Sequence, residues 1–269
     1  GYDFENRVEP AQKQNASSFA SLAHHEKHEP GPELYSHYTG LVDGKDYFSM
    51  MDKNCLKSAC DYLDRKAASG NDKPFFLYVT LMYPHPPYQC EEPYFSAIDR
   101  SKLAPRRPDA RTLKGKPSMM TNIVEKQGLE DTYDEAWFTE LRATYLAMTM
   151  RFDEQFGTLM NKLKEHKFYD NSSVFMFSDH GDYTTDYGVA EKAQNLFDDP
   201  VCKVPLIVKP SKEFKVKAGV SKALVELADL SATVSEMSGI ELPYTQFGQS
   251  LVEAIAGAPE HKEIVLCEG

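Results

Sequence analysis

Long amphipathic stretches alternate with very short apolar runs along this chain, and that alternation limits its possible folds more than any other feature. From Asp46 to Ala68, the residues Phe48, Met51, Cys55, Ala59 and Tyr62 recur at helical spacing, and Ser69-Gly70-Asn71 supplies a stop. Farther on, Phe138, Leu141, Tyr145, Met148, Phe152, Phe156, Leu159 and Leu163 keep a period near 3.6, which predicts a helix from about Tyr133 to Glu165. Three runs are too short for helices: Phe75-Phe76-Leu77-Tyr78-Val79-Thr80, Val174-Phe175-Met176-Phe177 and Pro205-Leu206-Ile207-Val208. They predict buried strands, the first with both faces covered. A further helix is expected from Ala223 to Met237, closed by Gly239, and a last short strand at Ile264-Val265-Leu266. Strands alternating with long helices pack as a parallel or mostly parallel sheet with helices on both faces, an α/β fold whose ligands bind beyond the carboxyl ends of the strands.

Residues 1–44 are polar, rich in Pro, Gly and His, and lack a sustained apolar period, so they read as an irregular segment wrapping a larger body. His24-His25-Glu26-Lys27-His28 within it reads as a solvent-facing loop, because no partner ligand is identifiable. No repeat or linker divides the 269 residues, and 41% hydrophobic content is enough for a sizeable core, so one α/β domain over 1–269 is expected.

The formal net charge of -11 argues against a nucleic-acid partner, whose binding surface would be basic. No run approaches the roughly 18–20 apolar residues of a membrane span, so no membrane partner is expected either. Any anionic substrate must then be held by a few local cations. The stretch holding Arg100, Lys102, Arg106, Arg107, Arg111, Lys114 and Lys116 is one candidate, and reads as a solvated basic loop. Cys55, Cys60, Cys90, Cys202 and Cys267 fit neither a disulfide framework nor a zinc pattern. They read as free thiols, which leans towards a reducing, cytoplasmic compartment or an anaerobic source.

Three local patterns carry chemistry. Phe177-Ser178-Asp179-His180-Gly181-Asp182 begins where an apolar run ends, and Gly181 is expected to permit a sharp turn there. A carboxylate beside an imidazole at a strand exit suits a divalent cation that clamps an anionic oxygen, with Asp182 placed for a supporting hydrogen bond. Tyr83-Pro84-His85-Pro86-Pro87-Tyr88 follows another run; its prolines stop the strand and mount His85 stiffly, ready to donate to an oxyanion or protonate a leaving group. Lys192, twelve residues beyond His180, lies in a loop between two strands and can act as a point charge for an anion.

Together these residues resemble the sulfatases of the alkaline phosphatase superfamily. The run Lys73–Tyr88 is similar to the family's K-P-F-F-L strand and His-Pro turn, and Asn171–Lys209 to its S-D-H/N-G metal segment, Lys and V-P-L-I-V strand. Asp229–Leu251 is similar to D-L-x-x-T followed by G-I and G-x-S-L, and Val265–Gly269 to F-S-E-G, so the resemblance spans roughly residues 70 to 269. It implies an alkaline-phosphatase-like α/β fold, Asp179 and His180 as ligands of a divalent metal ion, and His85 and Lys192 as catalytic residues that bind the sulfate. The implied ion is calcium first, with manganese, magnesium or zinc as alternatives. The implied substrate is a small-molecule or carbohydrate sulfate ester.

Two departures matter. His180 stands where many sulfatases have Asn, as in phosphonate monoester and phosphodiester hydrolases of the superfamily, so that activity is the alternative reading. The family's formylglycine arises in a C/S-x-P-x-R motif, and none occurs here: Cys90 is followed by Glu91-Glu92-Pro93-Tyr94. The upstream Asp pair and the G-K-x-H segment are missing too, while Gly1-Tyr2-Asp3-Phe4 resembles the G-F/Y-D that follows them. The expectation is a fold incomplete at the N-terminus, a fragment inactive alone whose whole form hydrolyses a sulfate ester. A non-catalytic remnant or binding protein is the rival from another class.

Overall fold

The computed structural model describes residues 37–193 and 195–267. The His24–His28 run and most of the stretch read as irregular lie outside them. The chain divides into two compact units, one holding the residues up to His166 together with Tyr183–Glu191, the other holding Lys167–Asp182 and the residues from Lys192 onward.

The first unit contains strand β1 (Tyr38–Leu41), helix α1 (Tyr47–Ala68), strand β2 (Tyr88–Cys90), helices α2 (Tyr94–Ala97), α3 (Ser118–Gln127) and α4 (Leu129–Thr132), and the long helix α5 (Glu135–Glu165). Helix α1 falls where its periodicity places it. The Asp46 carboxylate caps it by accepting the Ser49 N–H at 3.0 Å, and Ser69 closes it by donating its N–H to the Arg65 carbonyl. Asp134 caps α5 in the same way through the Trp137 N–H. Helix α5 buries Leu141, Ala147 and Met148 against Tyr83, Tyr88 and Cys90, and this cluster is the unit's core. Truncating a fully buried Leu141 to Ala would cost about 2–5 kcal/mol.

Strands β1 and β2 pair in parallel, Tyr38 opposite Tyr88 and Leu41 opposite Cys90. Neither was anticipated, and β1 lies within the stretch read as irregular, because three or four residues are too few to show a period. The run Phe75–Thr80 departs from expectation in the other direction. It takes no regular secondary structure and pairs with no strand among the described residues. Phe75 meets Tyr62 of α1 edge-on at 5.7 Å, whereas Phe76 and Tyr78 are 72% and 64% exposed, so only one face is covered. A strand is fixed by a neighbour that takes its N–H and C=O groups, and apolar content alone does not supply one.

The second unit contains β3 (Val174–Phe177), α6 (Asp199–Cys202), β4 (Leu206–Lys209), α7 (Ala228–Ser238) and α8 (Val252–Ala256). Strands β3 and β4 occur as expected but pair antiparallel, Val174 opposite Lys209 and Phe177 opposite Leu206. They are not fully buried; Ile207 is 55% exposed. Helix α7 ends at Gly239 (φ +67°) as expected but starts at Ala228, not Ala223. The Ser221 hydroxyl takes the Ala223 N–H and the Asp229 carboxylate takes the Glu226 N–H, which diverts upstream donors from helical bonding. Ile264–Leu266 forms no strand, because the Leu266 N–H goes to the Glu226 carboxylate instead of a ladder. The described residues are thus an α/β arrangement of helices with one parallel and one antiparallel pair of strands.

Candidate active site

At the exit of β3, short bonds fold Asp179 and His180 towards each other. The Ser178 hydroxyl donates to the His180 carbonyl at 2.7 Å, and Asp179 Oδ1 accepts the His180 N–H at 3.0 Å. His180 Nδ1 lies 2.8 Å from the Gly181 carbonyl, which can only accept, so Nδ1 carries a proton and in the neutral ring Nε2 carries the lone pair. That nitrogen lies 3.7 Å from Asp179 Oδ2. The separation suits two donors on one cation, each about 2.0–2.6 Å from it, and a carbonyl on the far nitrogen is the tie that metal-bound imidazoles usually keep. Both side chains are open to solvent, Asp179 the more so. The donor set fits a divalent ion but is partial, since no third carboxylate, imidazole or thiolate among the described residues joins the pair.

Gly181 serves this loop differently from the sequence expectation. Its φ is not positive, so the turn does not require a glycine for its dihedral angles. What requires it is proximity: a Cβ here would fall 1.9 Å from the Pro200 carbonyl oxygen of α6. The Gly181 N–H donates to the Val201 carbonyl at 2.7 Å and the Asp182 N–H to the Pro200 carbonyl at 2.9 Å, so α6 backs the loop directly.

Between this loop and Lys192 the backbone is unusual. Thr184, Thr185, Tyr187 and Glu191 all have positive φ without being glycine. Each such residue costs of order 1 kcal/mol, and strain of this kind concentrates at functional sites. Lys192, half-buried, resumes the second unit at the end of that stretch.

His85 belongs to the first unit. Its N–H donates to the Met82 carbonyl at 2.7 Å, closing a tight turn, and its ring stacks on Phe48 with centroids 6.1 Å apart. Its Nδ1 lies 2.6 Å from the Pro86 carbonyl, so His85, like His180, holds its proton on Nδ1 and presents Nε2. Asp179 and His180 are therefore brought together, and His85 has a defined local seat.

The basic stretch is a solvated loop only in part: Lys102 and Lys114 are exposed, but the arginines are paired. Arg106 is 10% exposed, pairs with Glu130 and Glu135, and lies 3.9 Å over the Phe138 ring. Arg100 pairs with Glu140, Arg107 with Asp186, and Arg111 with Asp109 and Asp131. These guanidinium groups are committed to structure. Asp64, Glu165 and His166 also cluster, but Lys162 lies 2.9 Å from Asp64 and 3.1 Å from Glu165 and takes up their charge.

The family model for sulfatases matches residues 2–240. The chain belongs to the sulfatase family. Among curated sulfatase-superfamily relatives, it is 26% identical over 70% of its length to the multifunctional alkaline phosphatase superfamily protein PehA of Trinickia caryophylli, of which it covers 38%. It is also 26% identical over 83% of its length to the N-acetylglucosamine-6-sulfatase of Capra hircus, covering 40% of that protein. The chain thus spans about 40% of the length of these relatives. Its fold is similar to that of a phosphonate monoester hydrolase from Silicibacter pomeroyi, with a TM-score of 0.65 and 22% identity over 82% of this chain and 43% of that one.

One sulfatase-like region proves to be structural. Asp229 and Thr233, one turn apart on α7, direct their side chains to the main chain of the G-x-S-L segment. Asp229 accepts the Gln249 N–H at 2.8 Å and Thr233 Oγ1 accepts the Leu251 N–H at 2.9 Å. Gly248 is needed because a Cβ there would meet the Ala228 carbonyl oxygen at 2.0 Å. Asp229 is fully buried, with Lys262 2.6 Å away.

Proposed function

We propose that this sulfatase-family chain is part of a hydrolase that cleaves a sulfuric ester, with Asp179 and His180 holding a divalent cation and His85 and Lys192 engaging the sulfuryl oxygens. The observation that carries this reading is the approach of His180 Nε2 to Asp179 Oδ2 at 3.7 Å, with the far nitrogen and the other carboxylate oxygen already engaged. Such a pair turns one ligand atom of each side chain, Oδ2 and Nε2, to the same ion. When bound, the cation supplies Lewis-acid stabilisation of negative charge on the group being transferred. Calcium comes first in this reading; the carboxylate suits calcium, manganese or magnesium, and the imidazole suits zinc.

The rest follows from the chain's own residues. His85 presents Nε2 and, in its cationic form, donates a hydrogen bond from it to an ester or sulfuryl oxygen. Lys192 contributes a compact positive charge, which offsets the -11 of the chain locally where an anionic ester must settle. The nucleophile in this reading is a formylglycine carried outside these 269 residues. A carbohydrate sulfate ester is the substrate class suggested by the likeness to an N-acetylglucosamine-6-sulfatase.

A second reading, hydrolysis of a phosphonate monoester or phosphodiester, is favoured by the imidazole at position 180 and by the likeness to a multifunctional superfamily protein. Tetrahedral sulfate and phosphonate centres need similar clamps. The test is kcat/KM of the whole enzyme on 4-nitrophenyl sulfate against 4-nitrophenyl phenylphosphonate. Preference for the sulfate supports the first reading, and preference for the phosphonate replaces it with the second.

A further inference from the structure

His85 sits on a mount built by two buried, oppositely charged residues, Asp52 and Arg151. Asp52, on α1, is 1% exposed. Its Oδ1 accepts the Met82 N–H at 2.6 Å and its Oδ2 accepts the Tyr83 N–H at 3.3 Å. The Met82 carbonyl in turn accepts the His85 N–H at 2.7 Å, so a single residue separates the Asp52 carboxylate from the histidine's main chain. Arg151, on α5, is the counter-charge. Its Nη1 lies 3.5 Å from Asp52 Oδ2, its Nε 2.9 Å from Glu91, and its guanidinium 4.2 Å from the centroid of the Tyr83 ring. The Arg151 side chain is itself only 3% exposed.

The first two turns of α1 complete the arrangement from three positions. Phe48 stacks on the His85 ring, and the Ser49 hydroxyl lies 2.8 Å from the Tyr83 hydroxyl. Asp52, one turn on, holds the main chain. Ring, hydroxyl and backbone of one tight turn are thus all referred to one helix end. Burying a carboxylate and a guanidinium is costly, and well-packed apolar residues would stabilise as well or better. What a charge pair adds is direction: two N–H groups fixed on two oxygens leave the turn one orientation, and Nδ1 on the Pro86 carbonyl leaves the ring one tautomer.

We propose that Asp52 and Arg151 are positioning residues for His85, holding its Nε2 in the orientation that meets the substrate. This rests on the reading of His85 as a residue that touches the ester. Neither residue touches substrate in this proposal, and their effect passes through the Met82–His85 turn.

The test is a double-mutant cycle in the whole enzyme with Asp52→Asn and His85→Gln, following kcat, KM and the pH profile of kcat/KM on the aryl ester that the unaltered enzyme turns over. Asp52→Asn is expected to lower kcat about tenfold or more with KM within about twofold, and to move the pH limb that is lost in His85→Gln. In the His85→Gln background the same substitution is expected to change kcat by less than about twofold. An equal loss of kcat in both backgrounds, or a lower Tm with unchanged kcat and pH profile, overturns the positioning role and leaves His85 as proposed. If His85→Gln has no kinetic effect, or the unaltered enzyme turns over neither a sulfate nor a phosphonate, the reading of His85 falls and this proposal with it. Should Asp52→Asn fail to fold, Phe48→Leu removes only the stacked ring and runs through the same cycle. Additive losses there overturn the proposal equally.

Discussion

Gly181 lies so close to Pro200 that a Cβ would come within 1.9 Å of the proline's carbonyl oxygen and 2.9 Å of its carbonyl carbon. Both atoms are backbone, so neither can rotate aside. The same carbonyl accepts the Asp182 N–H, which means that separating the two segments also breaks a bond holding the loop after His180. Gly181→Ala is therefore expected to destabilise the second unit by about 1–3 kcal/mol, the usual cost of overpacking a close contact. It should also displace Asp179 and His180 and weaken cation binding. Urea unfolding together with a cation titration checks both, and an alanine variant as stable as its parent would show that the contact is not there.

Asp229 makes the second unit sensitive to acid. Burial pushes its carboxyl up, but the Lys262 ammonium and the N–H groups of Gln249 and Glu226 together outweigh that and hold it below the ordinary carboxylate value. A depressed folded-state pKa gives stability that is fully present above the unfolded value of about 3.9 and is lost as pH falls from there through the folded value. Lys262 is shifted the opposite way. Burial lowers its pKa but Asp229 and Glu226 raise it more, so its share persists below the unfolded value of about 10.4 and fades only as pH rises through the folded one. Asp229→Asn leaves the ammonium with less compensation and is expected to cost about 3 kcal/mol at neutral pH. It should also flatten the decline in stability below about pH 4. Denaturant unfolding at a series of pH values reads this, and parallel curves for parent and variant would remove Asp229 as the source.

Helices α1 and α5 were legible because a 3.6-residue period sustained over 22 and 31 residues accumulates evidence and an Asp stands at each N-cap. Strand pairing was not, since it depends on a neighbour elsewhere in the chain: Phe75–Thr80 has the composition of a strand without the ladder, and Tyr88–Cys90 has the ladder without the length. At the candidate site, Asp179 and His180 could be paired from the sequence because both sit on one strand exit. The mount for His85 was missed, although one signal was present. Asp52 and Arg151 fall on the apolar stripes of their helices, one turn from Phe48 and beside Met148 and Phe152, and a charge on a core stripe is a buried charge seeking a partner. The opposite error occurred with Arg106, whose partners Glu130 and Glu135 lie over twenty residues away in sequence and leave no local pattern.

The metal assignment makes the last prediction. With Oδ1 of Asp179 engaged by the His180 N–H, the carboxylate offers Oδ2, and His180 offers only Nε2. Removing the carboxylate leaves the imidazole as the one donor of this pair. Asp179→Ala in the whole enzyme is therefore expected to lose the bound divalent ion through gel filtration, measured by elemental analysis. It should also lose the thermal stabilisation that the added cation gives, about 2.7 kcal/mol for a cation at a hundred times its Kd. His180→Asn replaces the nitrogen by an amide oxygen, a ligand suited to calcium but not to zinc. That variant should retain calcium-dependent stabilisation while losing that given by zinc. Unchanged metal content in Asp179→Ala would place the ion elsewhere in the protein and withdraw the assignment of both ligands.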